Sequence, residues 1–169
     1  TMDSLSPKNL PEDLLAHALF ENAILQAQNF VGRLKKDKQL SVVTQNKLPC
    51  QIVEYALAIM VFYLQSARKG GLQQKIMQKH ETFLMDNCGT NNSESRAQAL
   101  EAWRQEIKRK VQWLSLGNDT FNLDNNCFAQ NIISDSSFDT DMNNNELLPY
   151  VEQFVSDITL SMKHFGISG

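Results

Sequence analysis

The chain is poor in the residues that shape loops and sheets: 7 Gly and 4 Pro in 169 residues, and no stretch of any length in which apolar and polar side chains alternate. A half-buried strand needs that alternation, so strands are excluded as the main element and an all-α class remains. Cysteine is also scarce. Cys50, Cys88 and Cys127 are odd in number and widely separated, which excludes a disulfide framework and reads as reduced intracellular thiols. Asp3, Pro7 and Pro11 stand where the apolar stretch of a leader would lie. Both observations predict a cytoplasmic location.

The motifs of catalysis are missing too. The chain has no phosphate-cradling glycine loop, no pair of cysteines at zinc spacing, and no Glu-x-x-His of the kind that places di-metal ligands on facing helices. His17, His80 and His164 fall on three different helices. His80 and Glu81 are neighbours in sequence, but adjacent helix positions point about 100° apart and cannot easily serve one site. The Arg-x4-6-His signature of one helical ribonuclease superfamily is absent as well. The reading is a non-enzyme with no cofactor and no metal.

What the sequence does have is one long apolar segment. Lys47 to Gly71 reads KLPCQIVEYALAIMVFYLQSARKGG, and from Tyr55 to Leu64 only apolar and aromatic residues occur. A surface helix would show a polar stripe every third or fourth residue, so this one is expected at the centre, covered on nearly all sides. Its apolar run is shorter than the roughly 20 residues a bilayer requires. The helix is predicted from Pro49, which suits a first helical position, to Lys69, with Gly70-Gly71 as a left-handed exit. Cys50 then falls in the first turn, where the dipole lowers a thiol pKa, although burial beside Leu48 and Ile52 accounts for it more simply.

Around it the spacing predicts four further helices. The first runs from near Asn9–Pro11 to about Lys36, with Ala16, Phe20, Ala23, Ile24, Ala27, Val31 and Leu34 inward. Residues 38–46 fit either a short helical turn or an irregular link. Leu72 to Asn87 forms the next helix, and another opens at an Asn91–Glu94 cap and carries Ala97, Leu100, Trp103, Ile107, Val111 and Leu114. The last runs from about Glu146 to Phe165, with Leu148, Val151, Phe154, Val155, Ile158, Met162 and Phe165 inward, Pro149 in its first turn and Gly166 at its exit. Residues 117–145 form a polar, Asn-rich loop or insertion in which only Cys127 to Ile133 suggests a short helix. The whole is a single helical domain over residues 1–169, a compact bundle of five to six helices around a buried central one.

Charge is segregated under a net −3. Residues 31–80 hold nine Lys and Arg against Asp37 and Glu54, whereas residues 111–169 hold Lys163 against eight acids. Such a molecule suits head-to-tail association or contact with a polyanion by one face, and the plainer reading is a solvated helix surface. Arg33, Lys35 and Lys36 end the first helix, Lys47 precedes the central one, and Arg68 and Lys69 follow it. If consecutive helices are antiparallel, these cations mark an edge along the molecule that can track RNA phosphates. No aromatic residues are interleaved with them, so reading of bases is not expected.

The order of elements, together with Lys47-Leu48-Pro49, Ile52, Ala56-Leu57, Tyr63, Leu64 and the closing Met162-Lys163-His164-Phe165-Gly166, resembles the small subunit of Cmr-type (type III-B) CRISPR effector complexes. The resemblance covers most of the chain. It implies a non-catalytic subunit that stacks in several copies along a ribonucleoprotein, packs on other effector subunits, and lines the groove where guide RNA pairs with target RNA. Arg33, Lys35, Lys36, Lys47, Arg68 and Lys69 are then the expected phosphate contacts. The competing reading is a helical protein-interaction or regulatory domain of an unrelated family.

Overall fold

The computed structural model describes residues 10–87, 93–115, 129–130, 132–133 and 144–167. Five long helices lie among these residues: α1 (Glu12–Asp37), α2 (Val42–Ser66), α3 (Gly70–Asn87), α4 (Ser93–Ser115) and α5 (Asn144–His164). There is no strand among the described residues. The all-α bundle read from the sequence is therefore the fold.

The apolar segment lies at the centre. Within α2, residues Tyr55 to Leu64 are buried throughout except Tyr63, which is half-buried, and α1, α3, α4 and α5 all pack on this helix. Leu48–Ser66 is a 19-residue stretch long and apolar enough to span a membrane by length and composition, a wider window than the ten residues Tyr55–Leu64, and 67% of it is buried inside the fold. Four neighbouring helices give its side chains the apolar surroundings that a bilayer would otherwise supply.

Its ends differ from expectation. The helix begins at Val42 and not at Pro49: Ser41 offers its carbonyl to the Gln45 N–H at 2.9 Å, Ser suits that capping position, and Pro49 sits inside the helix. Proline withholds the N–H that would meet the Gln45 carbonyl, yet Pro49 and Gln45 lie on a half-exposed face where water can replace it. Cys50 falls in the third turn and is exposed, contrary to the burial expected of it. Leu48 and Ile52 are the buried members of that turn. Cys88 and Cys127 lie outside the described residues.

At the other end α2 stops at Ser66, and Arg68, not a glycine, takes the left-handed conformation, with φ 58°. Arg68 donates its N–H to Gln65 O at 3.1 Å and Lys69 donates to Leu64 O at 2.8 Å, the paired bonds of a Schellman ending. Gly70 and Gly71 open α3 instead. Gly71 lies against the Glu12 carboxylate, where an added Cβ would come within 3.0 Å of Oε1 and displace that half-exposed side chain.

Helix α5 begins at Asn144, which puts Pro149 in its second turn and not its first. Its inward leucine is Leu147, fully buried, and Leu148 is half-buried. Gly166 does form the expected exit, with φ 79° and bonds from Gly166 N–H to Lys163 O and from Ile167 N–H to Met162 O. The α1 stripe is as read from the sequence, joined by Leu19 and Phe30, with Ile24 half-buried. Ala97 is exposed and Leu100 half-buried on α4, whose buried face is Trp103, Ile107, Lys110 and Val111. Of the Cys127–Ile133 segment, residues 129–130 and 132–133 are helical, and Ala129 and Ile132 belong to the core. The remainder of that segment and the Asn91 cap lie outside the described residues.

Candidate nucleic-acid interface

The direction of each helix decides which cations share a surface. A four-residue link joins α1 to α2, so the two run antiparallel, and the end of α1 meets the start of α2. Lys38 pairs with Glu146, Asp37 with Tyr150 and Arg33 with Asp157, so α5 also runs antiparallel to α1 and therefore along α2. A bond between Tyr63 Oη and Thr159 Oγ1, 3.1 Å, joins α2 to α5. The six predicted contacts consequently divide. Arg33, Lys35 and Lys36 lie at the pole where α1 ends, and Arg68 and Lys69 lie at the opposite pole, about 36 Å away along the 25 residues of α2.

Within the first pole, Arg33 is held by another acid. Its Nη2 lies 3.3 Å from Asp157 Oδ2, whose other oxygen accepts from Gln153 at 2.8 Å. Lys38 lies 3.2 Å from Glu146. The Asp37 carboxylate accepts the Tyr150 hydroxyl at 2.7 Å, and that bond holds the phenol above its ordinary pKa. Two cations of the basic segment and two acids of the acidic one are thus paired within one molecule. Lys35 and Lys36 are exposed with no acidic partner among the described residues. Lys47 belongs to α2 by its backbone, and its side chain lies outside what is described.

At the second pole Arg68 and Lys69 are exposed, again without an acidic partner among the described residues. The nearby acids are already engaged: Glu12 and Asp13 both bind Lys75 of α3, and the Lys75 hydrogen bond holds the Asp13 carboxyl below the ordinary carboxylate range. Between the poles the α1 surface carries no Lys or Arg from Glu12 to Gly32. The cations therefore form two separate poles, and the α1 surface between them supplies no link.

The face made by α3 and α4 has a different character. His80 is 2% exposed, its ring centroid 4.2 Å from that of Trp103 and about 6 Å from those of Phe20 and Phe83. His80 Nδ1 and Trp103 Nε1 are both buried without a hydrogen-bond partner among the described residues. Burial pushes the imidazole pKa down to about 4, which keeps the ring neutral. Beside it Arg104 Nε donates to Glu81 Oε1 at 2.6 Å. These two side chains and Gly70, Gln73, Gln74, Met77 and Gln78 line an open groove of about 500 Å³. On α4, Lys110 is 4% exposed, 3.2 Å from Glu54 and 3.0 Å from Glu106, with its Nζ 4.9 Å from the Tyr55 ring centroid. Such a lysine fixes α4 on α2 and offers nothing to an outside ligand.

Sequence reasoning named Arg33 because it could not see Asp157, 124 positions away. It counted Lys163 and His164 toward the resemblance but not among the phosphate contacts, and both are exposed in the last turn of α5. The signal for them was present, two basic residues before the Gly166 exit. No group of His, Cys, Asp and Glu suited to hold a metal ion occurs among the described residues. Comparison with family models, with curated proteins and with solved structures finds no match to this chain.

Proposed function

We propose that this chain is a non-catalytic helical subunit of an RNA-guided CRISPR effector ribonucleoprotein, working in the cytoplasm and touching the phosphates of guide and target RNA through Lys35, Lys36, Arg68 and Lys69. Lys47 belongs to the same set by sequence. Arg33 belongs to it only when released from Asp157. One observation carries the reading: these four side chains are exposed cations without acidic partners among the described residues, whereas Glu146 and Asp157 of the acidic half are occupied by Lys38 and Arg33. Folding thus masks acids near the first pole and leaves ammonium and guanidinium groups at both.

Two cationic poles about 36 Å apart suit a subunit stacked along an extended polyanion, each pole meeting a different stretch of backbone. The resemblance to Cmr small subunits supplies the identity of that polyanion and the partners, which are other effector subunits and further copies of this chain.

The test is binding of single-stranded RNA and of a guide–target duplex across a salt series. Each lost phosphate contact lowers the slope of log K against log salt by about 0.7 on a single strand and about 0.9 on a duplex. Lys35→Gln/Lys36→Gln and Arg68→Gln/Lys69→Gln are each expected to lower it by about twice that amount. An intact chain that binds neither RNA at 50 mM salt, or whose slope both variants leave unchanged, refutes the reading. A gene neighbourhood without effector subunits refutes its CRISPR part and favours the protein-interaction alternative.

A further inference from the structure

We infer that the groove between α3 and α4 holds an unpaired base of the RNA strand whose phosphates meet Arg68 and Lys69. This rests on the RNA reading above and adds a base contact to it. The groove begins where that pole ends: the exposed Lys69 is followed directly by Gly70, the first residue of α3, which lines the groove. An added Cβ on Gly70 would meet no atom within 4 Å, so this end is open. From there the lining follows one face of α3 through Gln73, Gln74, Met77, Gln78 and Glu81, for about 16 Å at 1.5 Å per residue.

Past Lys69 the lining changes character. Among the described residues its charged members are Glu81 and Arg104, paired at 2.6 Å, and Glu101 lies 3.6 Å from the same guanidinium, so nothing there attracts a phosphate. The groove offers hydrogen bonds instead. The side-chain amides of Gln73, Gln74 and Gln78 have no partner among the described residues, and each carries two donors and an acceptor oxygen. A base edge presents donors and acceptors side by side, which a carboxamide can meet at once. Met77 packs on the core and gives the flat face of a base an apolar floor. No aromatic ring lines the groove among the described residues, so hydrogen bonds and not stacking hold the base. Its volume of about 500 Å³ falls in the range of small-ligand sites. A ligand that is anionic at one end and a neutral, hydrogen-bonding plane at the other is a nucleotide.

The test compares binding of the full chain to a mixed-sequence RNA oligomer and to an abasic strand of the same length, which keeps the phosphates and lacks the bases. The parent is expected to prefer the RNA by about tenfold. Gln74→Ala/Gln78→Ala removes two amides at exposed helix positions that suit alanine, and should abolish most of that preference while leaving abasic binding and the salt slope unchanged. Thermal melts matching the parent verify that the variant folds. Arg68→Gln/Lys69→Gln should lower the slope on both strands. If that slope falls but the parent binds both strands equally, or the amide variant keeps the full preference, the inference fails and the RNA reading stands, with the groove left to a protein segment. If the parent binds neither strand, both fall.

Discussion

The seam between α1 and α5 and the seat of α4 on α2 and α3 use polar residues in opposite ways. Along α1–α5, Arg33–Asp157, Lys38–Glu146 and Asp37–Tyr150 lie at the surface over an apolar contact between Phe30 and Phe154, whose centroids are 5.5 Å apart. Under α4 the lysine and the imidazole are inside: Lys110 lies against Tyr55, the partly buried Glu54 and the half-exposed Glu106, and His80 against Trp103. Surface pairs are screened and add little stability, so the first seam depends on its apolar contacts while its charges decide which cations remain for a partner. Buried ones are costly to leave unmatched, so the second seam is where substitution or pH should disturb the fold.

The sharpest way to break that contrast is to strand Lys110. Glu54→Ala/Glu106→Ala removes both carboxylates from a lysine that is 4% exposed, and about 3–5 kcal/mol of unfolding free energy should be lost in urea titrations. Replacing the lysine as well, by Met, should recover most of it. Full stability in the double alanine variant would show that the lysine reaches water.

Acid comes next. His80 has its pKa lowered to about 4 from the ordinary 6.5, so the unfolded chain binds the proton more readily than the folded one. Its contribution is complete above pH 6.5 and declines as pH falls through that value toward 4, by about 2–3 kcal/mol at pH 4.5. The parent should lose this much more than His80→Phe between pH 7.5 and 4.5, measured by urea midpoints, whereas parallel curves would mean that His80 takes up its proton in the fold as readily as in the unfolded chain.

The smallest stability effect belongs to the exposed seam. Asp157→Ala should cost under about 1 kcal/mol, because Arg33 has a side chain 40% exposed and water to replace its partner. The same change releases Arg33, so the salt slope for single-stranded RNA should rise by about 0.7. A large loss of stability with no change in slope would reverse the roles given to the two seams.

Much of this was legible in the sequence because it depends on residues three or four positions apart. The apolar face of α1, the buried run Tyr55–Leu64 and the Gly166 exit follow from spacing and from the one residue type that enters left-handed backbone without strain. Misplaced details lie where a local rule met a competing contact. Pro49 looks like a helix start, but Ser41 and the buried Leu40 and Leu48 extend the helix past it. Gly70-Gly71 looks like an exit, but the chain turns two residues earlier, at Arg68, where left-handed backbone costs a side chain roughly 1–2 kcal/mol.

The sequence by itself determined the class of fold, the identity of the central helix and the ends at which cations collect, since apolar periodicity and helix-end chemistry are short-range properties. Tertiary structure alone decided which charges are spent. Arg33 meeting Asp157, Lys38 meeting Glu146 and Lys110 meeting Glu54 all depend on helices brought together across 56 to 124 positions, and no local pattern encodes such pairings.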